Sequence, residues 1–195
     1  MHAARPRTVL LSLSGVLTGG LLAAAQPPCY LAPILLSALT ATLLQVLSNL
    51  ANDYGDFVKG LDNPDRVGPQ RVLQSGALTE AQLLKGILLI ALLTLVSGGA
   101  LLLTAWSHIG WKELVVFALL GIGAVAAAMR YTLGKHPYGY RGLGDLFCFL
   151  FFGWVAVAGT YYLSVASFDL LVLLPATAMG CCSNAVLKIG KASCR

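Results

Sequence analysis

Long uncharged apolar runs, broken by short polar segments, dominate this chain. Positions 8–52 carry no charged residue, a run of 45 positions. A bilayer core of about 30 Å is crossed by roughly 20 apolar helical residues, so this run is too long for one crossing and right for two. Gln26-Pro27-Pro28 supplies the turn between them, because consecutive prolines remove amide donors and clash with the preceding helical turn. Uncharged runs at 86–111, 114–129, 146–168 and 170–187 follow. The pattern predicts helices over about 8–25, 30–52, 82–105, 113–131, 145–164 and 168–189, an all-α polytopic transmembrane bundle of six spans. The first run reads as a span and not as a cleaved signal peptide, since no short apolar core with a small-residue cleavage site precedes a soluble domain.

Charge then orients the bundle. Arg5 and Arg7 precede the first span, Lys59, Arg66 and Arg71 lie in the loop at 53–81, and Arg130, Lys135 and Arg141 lie in the loop at 130–144. The intervening loops carry Lys112 or nothing, and the tail carries Lys188, Lys191 and Arg195. Cations gather on the cytoplasmic side of membrane proteins, so both termini and both long polar loops are expected in the cytoplasm, in a multi-pass protein of a bacterial inner membrane. Composition agrees: hydrophobic residues make up 57%, charged residues 11%, and mean hydropathy is +0.79. These values exclude a cytosolic enzyme core and a disordered regulator. The net charge of +5 comes from 13 cations against 8 acids; spread singly between apolar runs, it excludes a nucleic-acid surface. The five cysteines show no paired or metal-ligand spacing, and a free thiol in an apolar run behaves as a small hydrophobe. Gly19-Gly20, Gly98-Gly99, Gly121 and Gly123 within spans are expected to let helices approach closely. Trp106, Trp111, Tyr161 and Tyr162 read as interfacial aromatics.

Four of the eight acids lie within positions 53–65: Asp53, Asp56, Asp62 and Asp65. If helix continues past the second span, Asn49, Asn52, Asp53 and Asp56 recur at three- and four-residue spacing and share a face. Like charges so placed repel by a few tenths of a kcal/mol per pair, and a divalent cation reverses that sign. Carboxylates and an amide carbonyl are hard oxygen donors suited to Mg²⁺, which also favours phosphate ligands. Lys59, Arg66 and Arg71 are placed to neutralise phosphate oxygens. A solvated loop whose Asp and Asn cap turns is the plainer reading; the scarcity of acids elsewhere favours the metal–phosphate one. The loop at 130–145 adds Arg130, Lys135 and Arg141, with Tyr131, Tyr138 and Tyr140 among four glycines. Basic groups clamp diphosphate, and tyrosine faces stabilise a nearby cation. Asp145 orients a substrate hydroxyl or caps the fifth helix, and His136 reads as an ordinary loop histidine.

Asn52-Asp-Tyr-Gly-Asp56-Phe-Val-Lys59-Gly60-Leu-Asp62 resembles the first aspartate-rich motif of the UbiA superfamily of intramembrane aromatic prenyltransferases. Asp65-Arg66-Val-Gly68-Pro69, Tyr131-x-x-x-Lys135-x-Pro137-Tyr-Gly-Tyr and Gly142-Leu-Gly144-Asp145 are similar to its menaquinone branch, which acts on 1,4-dihydroxy-2-naphthoate. The likeness runs from the first span to about residue 187. It implies a helical bundle around a polar chamber, open to the cytoplasm and laterally to lipid. It further implies that Asn52, Asp56 and Asp62 hold Mg²⁺ on the diphosphate of a polyprenyl donor. Lys59, Arg66, Tyr131 and Lys135 are then expected to steady the diphosphate or shield the allylic cation. Asp53, Asp65, Arg71, Arg141 and Asp145 fall to substrate binding. The ring of the naphthoate attacks the cation with loss of its carboxylate, giving demethylmenaquinone.

Family members of about nine spans carry a second aspartate-rich motif near the end of the sixth. Here Lys188-Ile-Gly-Lys-Ala-Ser-Cys-Arg195 stands at that place, basic and without an acid. Residues 1–187 are therefore expected to be the N-terminal part of the prenyltransferase domain. The tail at 188–195 is read as the product of a frameshift, an early stop or an incomplete sequence, and the chain as inactive or weakly active. Two other readings compete. A CDP-alcohol phosphotransferase also has six spans, but its Asp-Gly-x-x-Ala-Arg pattern is not found in this sequence. A non-enzymatic membrane protein or transporter fragment would place ionisable groups near the midplane, whereas here they lie at one surface.

Overall fold

The computed structural model describes residues 5–60, 72–134 and 137–192. Six helices follow the predicted spans: α1 (Pro6–Ala24), α2 (Leu31–Val58), α3 (Glu80–Ala105), α4 (Trp111–Arg130), α5 (Gly144–Val165) and α6 (Leu173–Ala192). Helices α2 to α5 and Leu170–Ile189 around α6 are long and apolar enough to cross a bilayer, and α1 contributes the shorter apolar stretch Thr8–Ala24. The protein is an all-α, multi-pass membrane protein. α2 packs most extensively on α3, and α4 lies along both; α1 bridges α2 to α5, and α6 covers the far side of α5.

The bundle carries its large apolar side chains outward: Leu88, Leu103, Leu119 and Leu174 are all well exposed. Its interior is mostly apolar, with Leu47, Leu83, Ile87 and Val157 fully buried, and is interspersed with small polar side chains such as Ser12, Ser37, Thr94 and Ser97. Thr94 donates to the Ile90 carbonyl of its own helix at 2.7 Å, and Thr40 of α2 meets Ser97 of α3 at 2.7 Å. Lipid is as apolar as leucine, so helices associate here through close packing and internal hydrogen bonds.

Close packing is most evident on α1. A Cβ at Gly15 would lie 2.6 Å from the Phe152 carbonyl oxygen, and one at Gly19 would lie 2.2 Å from that of Val157. Gly15, Gly19 and Ala23 form a ridge at four-residue spacing that seats α1 on the middle of α5. That middle, Phe149–Gly159, is wound as a π-helix. The other face of α5 meets α6 the same way, with Gly153 against Gly180.

The expectation that the span glycines pack holds for Gly19 and Gly20. It fails for Gly99, Gly121 and Gly123, where an added Cβ would meet nothing within 4 Å, and Gly98 reaches Thr40 only at 4.0 Å. These residues border open space within or beside the bundle, so their small size widens a cavity and brings no backbones together. Tyr161 also departs from the interfacial reading: it is 3% exposed, inside the cluster with Ala23, Val157 and Ala176. Trp106 and Trp111 are exposed at adjoining ends of α3 and α4.

Two ends of the bundle are tied differently. At one, Tyr30 stacks on His108 (centroids 3.8 Å apart), its amide donates to the Ser164 carbonyl at 2.8 Å, and His108 Nε2 lies 2.9 Å from the Leu163 carbonyl. The Pro27-Pro28 turn, with a cis peptide bond, lies at this end. The other end holds Asp53 and Asp56 at the end of α2 and the described part of the segment that follows α4.

Candidate functional site

Helix α2 does continue past the span predicted for it, to Val58. Asn49, Asn52 and Asp56 therefore stand on one face, each within a turn of the next. All three line a cavity of about 1260 Å³ that runs from this end of the bundle into its apolar interior. Tyr131 and Thr132 from the end of α4 border the same polar end. Further in, the walls are Leu44, Leu102, Phe117 and Val155, with Gly98, Gly99 and Gly121 leaving room.

Asp53, on the same turn, has a different role from its neighbours. It is 2% exposed and forms an ion pair with Arg5 at the start of α1. Thr8, one turn further on α1, accepts from Asn49 Nδ2 at 2.9 Å, and Gln45 Nε2 donates to Asn49 Oδ1 at 3.2 Å. This ladder fixes the rotation of α2 about its axis, so that Asn52 and Asp56 face the cavity. Arg5 itself lines the cavity and has a left-handed backbone (φ 44°).

The loop after α4 folds onto this end. Tyr138 donates its phenol to the Ala127 carbonyl at 2.8 Å and packs edge-on against Tyr131, centroids 5.4 Å apart. The Gly139 amide donates to the Tyr131 carbonyl at 3.0 Å, and a Cβ at Gly139 would lie 2.7 Å from that oxygen. A side chain at Gly144 would meet the Tyr131 ring at 3.0 Å. Glycine at both positions thus lets the loop close over Tyr131. Burial pushes the Tyr138 phenol up to about 12, with a contribution from Tyr131, so it stays protonated as a donor.

Lys59 reaches across from the end of α2, donating from Nζ to the Thr132 carbonyl at 3.1 Å. Asp145 opens α5, 3.5 Å from Lys188 on α6. Asp62, Asp65, Arg66, Arg71 and Lys135 lie outside the described residues, as does the Arg141 side chain. Of the expected site residues, the structure brings Asn52, Asp56 and Tyr131 to the cavity, with Lys59 beside them. Asp53 it turns toward Arg5, and Asp145 toward Lys188.

Arg5, Thr8 and Thr132 were not singled out from sequence. Their signal is faint: Gln45, Asn49, Asn52 and Asp56 form a polar stripe at helical spacing in an otherwise apolar span, and such a stripe needs partners on a facing helix. Among the described residues no three His, Cys, Asp or Glu side chains converge as metal ligands. The hard donors at the cavity end are the Asn52 amide oxygen and the Asp56 carboxylate, a pair suited to a divalent cation that takes its remaining ligands from water or phosphate.

Residues 12–190 match the model of the UbiA prenyltransferase family. The 1,4-dihydroxy-2-naphthoate octaprenyltransferase of Escherichia coli (strain K12) is 42% identical over 189 residues, covering 97% of this chain and 61% of that protein. Its namesake in Haemophilus influenzae is 44% identical over 190 residues, 96% of this chain and 61% of the relative. The human UbiA prenyltransferase domain-containing protein 1 is 29% identical over 190 residues, 95% of this chain and 53% of the relative. The chain thus spans about 61% of the length of the bacterial relatives. With a single family model matched across nearly all of its spans, the chain belongs to the UbiA prenyltransferase family.

Proposed function

We propose that this chain carries the donor-binding part of a 1,4-dihydroxy-2-naphthoate polyprenyltransferase of menaquinone biosynthesis. The observation that carries the reading is one cavity with a polar end, set by Asn52, Asp56 and Tyr131, and an apolar remainder inside the bundle. A polyprenyl diphosphate has the same division, a multiply charged head on a long hydrocarbon. The match to octaprenyltransferases over most of this chain supports it.

Family prenyltransferases generally use a divalent metal, and the donor chemistry at the cavity end fits Mg²⁺. Asn52 and Asp56, with Asp62 further along the acidic run, are the residues that would hold it. When bound, the ion offsets negative charge on the departing diphosphate. The chain's own residues do the rest. Lys59, Arg66 and Lys135, with Arg71 and Arg141, neutralise and orient the diphosphate. Tyr131, held by Gly139 and Gly144, offers its ring face to the allylic carbon as positive charge develops there. The apolar walls exclude water, which would otherwise capture the allylic cation. The naphthoate ring carbon then takes the prenyl group in place of its carboxylate. Asp65 and Asp145 serve substrate positioning, and Asp53 contributes by holding α2 in register.

Residues 1–187 are read as the N-terminal part of the domain, in a bacterial inner membrane with the site facing the cytoplasm. The test is Mg²⁺-dependent binding of geranylgeranyl diphosphate to the purified chain in nanodiscs. Binding lost in Asp56→Ala and Asp62→Ala supports the reading. Binding that is absent, or unchanged in both variants, assigns the acidic run a structural role.

A further inference from the structure

We propose that Thr132 is a positioning residue for this site: its hydroxyl sets the orientation of the Asn52 amide and joins the acidic end of α2 to the loop after α4. The proposal rests on the reading of this cavity end as a divalent-cation and diphosphate site.

Thr132 is 4% exposed, although it sits just past the end of α4. Its Oγ1 lies 2.9 Å from the Ala51 carbonyl oxygen and 3.2 Å from Asn52 Oδ1. A hydroxyl has one proton to donate, so two acceptors compete for it. Donation to Asn52 favours one setting of the amide plane, whose terminal torsion is intrinsically broad. When Asn52 Oδ1 is engaged by a cation, the proton has the Ala51 carbonyl to turn to. Neither arrangement leaves a buried donor without an acceptor, which is what a ligand that must bind and release requires.

The residue is itself firmly held. Its carbonyl accepts from Lys59 Nζ at 3.1 Å. Its Cβ packs into the space left by Gly55, where an added methyl would lie 2.6 Å from it. Gly55 stands between Asn52 and Asp56, so the absence of a side chain there is what lets Thr132 reach the amide. One threonine thus touches the acidic helix at Ala51, Asn52, Gly55 and Lys59, and follows directly on Tyr131. Partners that orient a metal-ligating side chain typically change affinity by 10–100-fold when removed.

The experiment is calorimetric titration of inorganic pyrophosphate into the full chain in nanodiscs at a series of Mg²⁺ concentrations. T132V keeps the shape of the side chain and removes the hydroxyl; T132S keeps the hydroxyl. The expected result is about a tenfold higher Mg²⁺ requirement in T132V, recovery to within about twofold in T132S, and no further loss when T132V is added to Asn52→Ala. An unchanged requirement in T132V, no recovery in T132S, or an equal loss in the Asn52→Ala background each overturns the positioning role. If T132V melts far below the unsubstituted chain without Mg²⁺, the comparison of T132A with T132S decides on the same criteria. Failure of the unsubstituted chain to bind pyrophosphate at any Mg²⁺ concentration is a different outcome: it removes the cation–diphosphate reading and this proposal with it.

Discussion

Asp53 shows how one helical turn can hold acids of unlike purpose. Its carboxylate is buried against Arg5, while Asp56 one turn later borders the cavity. Removing Arg5 leaves a buried acceptor short of a charged donor, which costs about 1–3 kcal/mol. Arg5→Ala is therefore expected to lower the melting temperature in detergent, whereas Arg5→Lys, which keeps the charge but loses the planar fork, recovers part of it. Tyr138 gives a pH signature. Its phenol titrates near 10 when unfolded and at about 12 in the fold. The folded state therefore holds that proton more tightly, and the stabilisation is complete below pH 10 and is lost as pH rises through about 12. Stability followed by circular dichroism should fall across that window. Tyr138→Phe should remove this phenol's share of the fall and cost about 1 kcal/mol at neutral pH for the bond to Ala127.

At the scale of helices, the glycines divide into two populations with opposite expectations. Gly15 and Gly19 face backbone carbonyls of α5 at distances no Cβ tolerates. Gly19→Ala should therefore force α1 away from the π-wound segment, costing roughly 1–3 kcal/mol as overpacking does. Gly99→Ala and Gly121→Ala meet open space and should be neutral, or stabilising by the half to one kcal/mol that alanine gains over glycine in a helix. Thermal melts of the three variants check the contrast directly. Sequence could not separate these sets, because a small residue looks the same whether it admits a neighbour or a ligand. The spans themselves were legible, since a bilayer imposes one length on every crossing. Their ends were less so: α2 runs on to Val58, past Asn52 held by Thr132 and Asp53 held by Arg5, a tertiary effect that local polarity hides. The start of α3 at Glu80 is fixed by a capping box between Thr79 and Gln82, a signal present in the sequence and not read from it. Of the site, the cavity-facing pair Asn52 and Asp56 followed from helical spacing. The partners that hold α2 in place did not, because Arg5 and Thr132 are distant in sequence and unremarkable alone.

Taken as a whole, the bundle sets a polar end, with Asn52 and Asp56, on an otherwise apolar cavity, and on the proposed reading this arrangement governs how donor affinity should depend on chain length. On the proposed reading, a prenyl tail reaches the cavity from the bilayer, not from water. Its transfer is from one hydrocarbon environment to another, so the roughly 0.8 kcal/mol gained per methylene on leaving water does not apply. Affinity in a bilayer is then set mainly by the head: the donors at Asn52 and Asp56 and the cations around them. Geranylgeranyl and longer polyprenyl diphosphates should accordingly bind within about threefold of one another in nanodiscs. Inorganic pyrophosphate should compete with all of them. Asp56→Asn replaces a charged ligand of the proposed cation by a neutral one, and should weaken every donor by at least tenfold, about 1.4 kcal/mol, regardless of tail. Competition binding with a labelled donor, run across three tail lengths in both backgrounds, measures this. A steep rise of affinity with tail length, undiminished in Asp56→Asn, would show instead that the walls at Leu44, Leu102 and Phe117 and the space left by Gly98, Gly99 and Gly121 grip the tail, and that the head site is secondary.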